Sequence, residues 1–441
     1  MRKFLFFVSC IVMCGGVPGA YALDLSLSDT VNKMLSESHD LKKAEANVNL
    51  AKAQLDAVNA KRWFSVDASA NYMSLVNVER PFSSEGFALP PELGQLIQSQ
   101  LGEDAKFTIP DNIFMAGLSI TQPIYTFGKI GNAVDSVRGA IKMSESSREM
   151  TRRAIKYSAT DMYWTAKMTD KIVELARKDL SDAVASKNKL TGAGRANRSN
   201  LVKIESDIAS KEINLSDAEF NRDTAHRMLK ILSGIDVNEE LNLVDDFPSD
   251  FAELNVPEKL SSTPEWDVLQ EQVNMYQSKA SSQRANGYPT LAAVGNYSYN
   301  SMGNSVDHLF DKAGTQAAYW GLSLQVPIFS GGLHRANATV DAMNAEASRQ
   351  DLYKSKKIVS EQYTNAIKKY NHLRGNLESL QNARDLAAKA YQFSQERFAS
   401  GQTSAVELAD VSSGLYQLDM ALINSKYNIL MAQESVNKLR K

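Results

Sequence analysis

The heptapeptide Gln122-Pro123-Ile124-Tyr125-Thr126-Phe127-Gly128 recurs as Val326-Pro327-Ile328-Phe329-Ser330-Gly331-Gly332. Each copy follows a run of alternating apolar and polar residues. Each opens a helical pattern of roughly sixty residues, about 90 Å at the usual rise. Proline cannot donate to a sheet ladder, so Pro123 and Pro327 predict where a strand stops. Gly128, Gly331 and Gly332 free the backbone to turn into the helix. Made twice, this plan predicts one body of two similar halves, although 441 residues would allow two or three domains.

Charge is balanced, with 49 Lys and Arg against 51 Asp and Glu, so nothing points to nucleic acid. Arg2 and Lys3, an apolar run from Phe4 to Val17, and Ala20-Tyr21-Ala22 predict a signal peptide over residues 1–22. Cys10 and Cys14 both lie in it, which leaves the mature chain without disulfide or thiolate chemistry. A lipid-anchoring cysteine is the alternative, but the residues preceding Cys10 and Cys14 fit such a site poorly. Beyond the signal no run approaches the ~20 apolar residues of a membrane helix. Entry into a membrane would have to use strands.

From Ser28 to about Lys61, apolar residues such as Val31, Met34, Leu41, Val48 and Leu55 predict one amphipathic helix, capped by Ser28 or Asp29. The period then drops to two. Phe64, Val66, Ala68, Ala70 and Tyr72 face one way and Ser65, Asp67, Ser69 and Asn71 the other, a strand of about fifteen residues. A proline-bearing loop follows, with a short helix at 93–101. Phe114, Ala116, Leu118 and Ile120 then predict a second strand running down to Pro123. The helix after Gly128 turns at 190–194 and returns through Ile204 and Leu215 toward Leu232, a coiled-coil hairpin. Residues 23–232 are the first repeat. Residues 233–262, acidic and interrupted by Pro248 and Pro257, read as a connector with at most a short helix.

The order recurs over 263–441: a helix from Pro264 to Arg284, strands at 289–299 and 318–326, a helix from about Gly332 to Phe398, a turn at 399–401, and a last helix. Leu118, Ile120, Pro123 and Ile124 map onto Leu322, Leu324, Pro327 and Ile328, always 204 residues on. Gly194 and Leu201 map onto Gly401 and Leu408, and Asn71-Tyr72 echoes Asn296-Tyr297. Four strands cannot close a barrel, since about eight is the minimum. Open edges in lipid would leave backbone groups unpaired. Strands that span a membrane here must therefore share one barrel among several chains.

A signal peptide, an internal duplication, the two strand-to-helix junctions and Gly-centred helix turns together resemble the TolC family of outer-membrane efflux and secretion ducts, over nearly the whole mature chain. The resemblance implies a mainly α fold with membrane β. Four strands per chain would form a trimeric twelve-stranded outer-membrane barrel, continued by a periplasmic α-barrel. It implies a homotrimer in outer-membrane lipid, a periplasmic adaptor, and an inner-membrane transporter of the RND, ABC or MFS kind. No cofactor is implied.

It further implies adaptor docking at the helix turns, which here carry Gly192, Gly194 and Arg195, and Ser400, Gly401 and Thr403. Ordinary left-handed helix caps need glycine there in any case. Acids six and nine residues after the second tip glycine, Glu407 and Asp410, match a periplasmic gate. They lie on one helix face, and three copies would stack carboxylate rings that attract cations. A solvated helix surface is the plainer reading. The family's tip arginine is Thr403 here, and Arg397 or Arg195 could substitute. Trp63, Phe64, Tyr297, Tyr299, Tyr319 and Trp320 suit a membrane-interface girdle or simply strand propensity. The five histidines show no metal-ligand spacing and no catalytic motif appears, so transport energy would come from a partner. The competing reading is a periplasmic coiled-coil protein of structural or adhesive role. That protein would pack its apolar strand faces internally, where a duct presents them to lipid.

Overall fold

A computed structural model describes residues 22–74, 112–192, 198–303 and 314–440. The elements are β1 (Leu23–Leu25), α1 (Leu27–Glu37), α2 (His39–Ala60), β2 (Ser65–Ser74), β3 (Asn112–Tyr125), α3 (Lys129–Gly192), α4 (Arg198–Leu232), β4 (Leu241–Leu243), α5 (Pro264–Ala285), β5 (Thr290–Gly303), β6 (Thr315–Gln325), α6 (Leu333–Ala399) and α7 (Ala405–Leu439). Contacts divide the chain into a unit of residues 50–141 and 271–348 and a unit of residues 1–49, 142–270 and 349–441. Among the described residues no helix is long and apolar enough to cross a membrane.

The first unit is built on an antiparallel sheet in the order β2-β3-β5-β6. Directly paired residues share a face, so the ladder tests the alternation. Val66 pairs with Ile120, Ile120 with Gly295, and Gly295 with Trp320. The next rows are Ala68, Leu118, Tyr297 and Ala318, then Ala70, Ala116, Tyr299 and Gln316. The opposite face carries Asp67, Ser119, Asn296 and Tyr319 in one row and Ser69, Gly117, Ser298 and Ala317 in the next. The two faces expected from the alternation are therefore continuous across all four strands.

Three expectations change here. β3 passes through Pro123 to Tyr125, with a bulge after the proline. Beyond Thr121 only its β5 side is paired, and a residue without an N–H is tolerated at such an edge. β5 runs on to Gly303, because Asn300–Gly303 still meet Asn112–Met115 of β3. The strand expected beyond Ser74 and the short helix at 93–101 lie outside the described residues.

The second unit is helical, with a small parallel pair: β1 and β4 align Leu23 with Leu241 and Leu25 with Leu243. Leu25, Tyr163, Trp164, Leu229, Ile235 and Leu243 form a buried cluster around that pair. The Tyr163 hydroxyl donates to Leu25 O (3.2 Å) and accepts from Asp245 N (3.0 Å). Burial pushes its ionisation well above the ordinary tyrosine value. The single helix expected over 28–61 is two. Ser26, not Ser28 or Asp29, is the N-cap, in a capping box with Asp29. The break falls at Ser38, whose Oγ accepts from Leu41 N and whose own N–H still closes the preceding turn on Met34 O. The connector holds β4 and, among its described residues, no helix.

Candidate functional site

The two strand-to-helix junctions have one backbone design. Phe127 and Gly128 have φ of 48° and 86°, and Gly331 and Gly332 have 61° and 78°. Lys129 N donates to Thr126 O and Asn132 N to Gly128 O; Leu333 N donates to Ser330 O and Ala336 N to Gly332 O, each bond 204 residues on. Two successive left-handed residues swing the chain out of the sheet and into a helix. At the first junction a phenylalanine occupies the position that glycine fills at the second, its ring edge-on to Tyr125 at 4.6 Å. Glycine content alone could not have located this turn.

The helix turn after α6 is resolved in full. Gly401 has φ 79°, Gln402 N donates to Arg397 O (2.8 Å), and Gly401 N donates to Phe398 O (3.0 Å). This is the paired-bond cap in which glycine at the left-handed position satisfies the last carbonyls. Ser400 Oγ closes on Arg397 O (3.0 Å). Ser404 then caps α7 by accepting from Glu407 N (3.2 Å). Glu407 itself takes a hydrogen bond from the Thr403 hydroxyl, and its other oxygen lies 3.8 Å from Arg397 Nη1. Arg397, offered as a substitute for the missing tip arginine, is thus at the acid. Asp410, one turn on, is exposed. Gly192 ends α3, while Gly194 and Arg195 lie outside the described residues. The turn region is held by a buried cluster of Leu190, Ile204, Phe398, Ala405 and Leu408, which joins the end of the first hairpin to the end of the second.

A polar tie that sequence reasoning missed lies further along the same helices. Lys211 of α4 meets Asp179 of α3 at 2.6 Å; Ser412 of α7 donates to Asp179 Oδ1 (3.0 Å) and accepts from Lys211 Nζ (3.4 Å). Asp207 stands 3.9 Å from the same ammonium. No spacing rule couples positions 179, 211 and 412. The only signal available was a lysine on the apolar side of its helix.

The sheet faces complete the site. Val66, Leu118, Tyr297, Trp320, Leu322 and Leu324 are exposed large apolar residues on one face. Among the described residues β2 and β6 are each paired on one side only.

A sheet with one broad apolar face and two free edges, joined through repeated bends to glycine-capped helical hairpins, defines a membrane-embedded strand unit carried on coiled coils. The chain belongs to the outer membrane efflux protein family, whose model matches residues 30–234 and 256–440. It is similar to the probable outer membrane lipoprotein SilC of Salmonella typhimurium, 19% identical over 424 residues that span 92% of this chain and 84% of that one. Among solved structures it matches CusC with a TM-score of 0.77 at 16% identity, over 97% of this chain and 95% of that chain. The Campylobacter jejuni CmeC outer membrane channel matches with 0.77 at 17% identity, over 94% and 85%. The mainly α fold with a strand unit, read from the sequence, is thereby established.

Proposed function

We propose that this protein is the outer-membrane channel of an export system, a passive duct for substrates delivered by an inner-membrane transporter through a periplasmic adaptor. The observation that carries this reading is the apolar face running unbroken across β2, β3, β5 and β6 while both outer edges stay free. Such a face is stable in lipid, and such edges are tolerated there only if another chain pairs with them. Three chains of four strands give a twelve-stranded barrel, and the Asp67–Ser119–Asn296 face then lines a wet lumen. A periplasmic coiled-coil protein would instead bury that apolar face against its own chain. The helix turns around Gly192–Arg195 and Ser400–Thr403 are the adaptor-docking surface. Glu407 and Asp410 ring the periplasmic constriction, with the Arg397–Glu407 pair restraining the resting state.

Single-channel recording in planar bilayers tests this. Wild-type protein is expected to give small, cation-selective currents that grow or lose selectivity in Glu407→Ala/Asp410→Ala. Unchanged currents would remove the gate and keep the duct. No insertion by folded protein would remove the duct.

A further inference from the structure

The two halves of the sheet unit are related by two fixed shifts. β2 maps onto β5 by 225 residues and β3 onto β6 by 204, and the ladders agree. Val66 opposite Ile120 becomes Leu291 opposite Leu324, and Asn71 opposite Met115 becomes Asn296 opposite Tyr319. The turns entering β2 and β5 match bond for bond. Lys61 N to Val58 O, Arg62 N to Asn59 O and Trp63 N to Ala60 O recur as Asn286 to Gln283, Gly287 to Arg284 and Tyr288 to Ala285.

Equivalent backbones sit in unequal surroundings. The outer flank of the first half is covered by the second: β3 pairs with β5, Ser282 Oγ donates to Lys129 O (3.0 Å), and a β-carbon at Gly139 would lie 3.2 Å from Met275 Cα. The corresponding flank of the second half is bare. Ser136 is 9% exposed and its counterpart Val340 is 59% exposed. Gly139 is buried, whereas its counterpart Met343 is 60% exposed. Phe329, counterpart of Tyr125, is 89% exposed. On the opposite flank, Leu50 is 57% exposed where its counterpart Met275 is half-buried.

We propose that a second copy of this chain covers the bare flank by repeating, once more, the relation between the two halves. This rests on the shared-barrel reading above and adds the register. Ile120 opposite Gly295 becomes Leu324 opposite Ala70 of the neighbouring copy. Gln122 opposite Ala293 becomes Val326 opposite its Ala68, and Tyr125 opposite Leu291 becomes Phe329 opposite its Val66. Beside the strands, Met343 packs on Leu50 of the neighbour. Two side chains there replace the close backbone approach at Gly139, so α6 and the neighbour's α2 stand further apart than α3 and α5. Each strand pair joins residues of the apolar face, whereas a slip of one residue would turn the whole edge strand over. The occupant is a second copy, not lipid, because the protein-covered twins of these exposed residues are covered by the matching half of this same chain.

Disulfide trapping in the full-length, detergent-purified protein tests the register. Oxidised with copper phenanthroline, Leu324→Cys/Ala70→Cys is expected to give covalent dimers and trimers on a non-reducing gel, because directly opposed β-carbons lie within disulfide reach. Leu324→Cys/Tyr72→Cys, two residues out of register, and the single variants are expected to stay at least tenfold less cross-linked. Leu50→Cys/Met343→Cys, joined with a short bismaleimide, provides an arm independent of strand folding. Trimers on native mass measurement that cross-link through Tyr72 and not Ala70 would overturn the register and leave the shared barrel. Monomers alone, with no cross-link from either strand pair or the helix pair, would overturn both.

Discussion

Lys211 of α4 and Asp179 of α3 are joined at 2.6 Å with both side chains withdrawn from water, and Ser412 of α7 closes the tie. Such a pair contributes little net stability, because desolvation offsets most of the attraction; its value is in fixing one arrangement of three helices. Removing only the cation strands buried carboxylates. Lys211→Met is expected to cost about 3–5 kcal/mol, and Lys211→Met/Asp179→Leu to recover most of it. Thermal melting of the purified protein, followed by helical circular dichroism, reads both.

Asp207 shares that ammonium without ideal geometry. Burial raises its carboxyl above the usual range, Lys211 pulls it down, Asp179 pushes it up again, and Lys203 pulls it down; the result is a rise. A carboxylate whose folded value exceeds its unfolded value opposes folding at neutral pH, and that cost is relieved as pH falls through the folded value toward 3.8. Asp207→Asn is therefore expected to melt higher than wild type at pH 7, with the advantage vanishing near pH 4. Melting curves across that range would sink the idea if the difference were independent of pH.

The connector is strapped to α6 by groups on one helix face. Tyr363 donates to Pro257 O (2.7 Å), Tyr370 to Ala252 O (2.6 Å) and Arg374 Nε to Phe251 O (2.9 Å). Tyr370→Phe leaves the Ala252 carbonyl without that donor and is expected to cost about 1–2 kcal/mol. Limited proteolysis provides the readout, with cleavage between residues 244 and 262 becoming several-fold faster. An unchanged rate would mean that the buried Phe251 and Leu377 cluster holds the segment unaided.

What was legible in the sequence follows a physical division. Strand faces came through because period-two alternation is local, and the rows from Val66 to Trp320 join the residues the pattern assigned. The bend at Gly331-Gly332 was legible for the same reason, and its twin at Phe127 by homology within the chain. Helix ends were less so. Ser26 outcompetes Ser28 because Asp29 answers it from the third helical position, and Ser38 breaks a pattern whose apolar stripe continues undisturbed through Leu41. The Lys211 tie and the Tyr363–Tyr370–Arg374 strap were invisible, since each depends on which helices or segments become neighbours. Glu407 was found as a charged site, but its helix-capping bonds to Ser404 and Thr403 were not.

The two shifts that relate the sheet halves differ, 225 against 204, by 21 residues. Because the pairings on both sides keep step, the whole surplus lies in the connection from β2 to β3, compared with that from β5 to β6. Length at that end of the hairpin is thus uncoupled from everything below it. A lineage can lengthen, trim or exchange the segment without moving a single row of the sheet. An experimenter inserting an epitope between residues 74 and 112 inherits the same freedom.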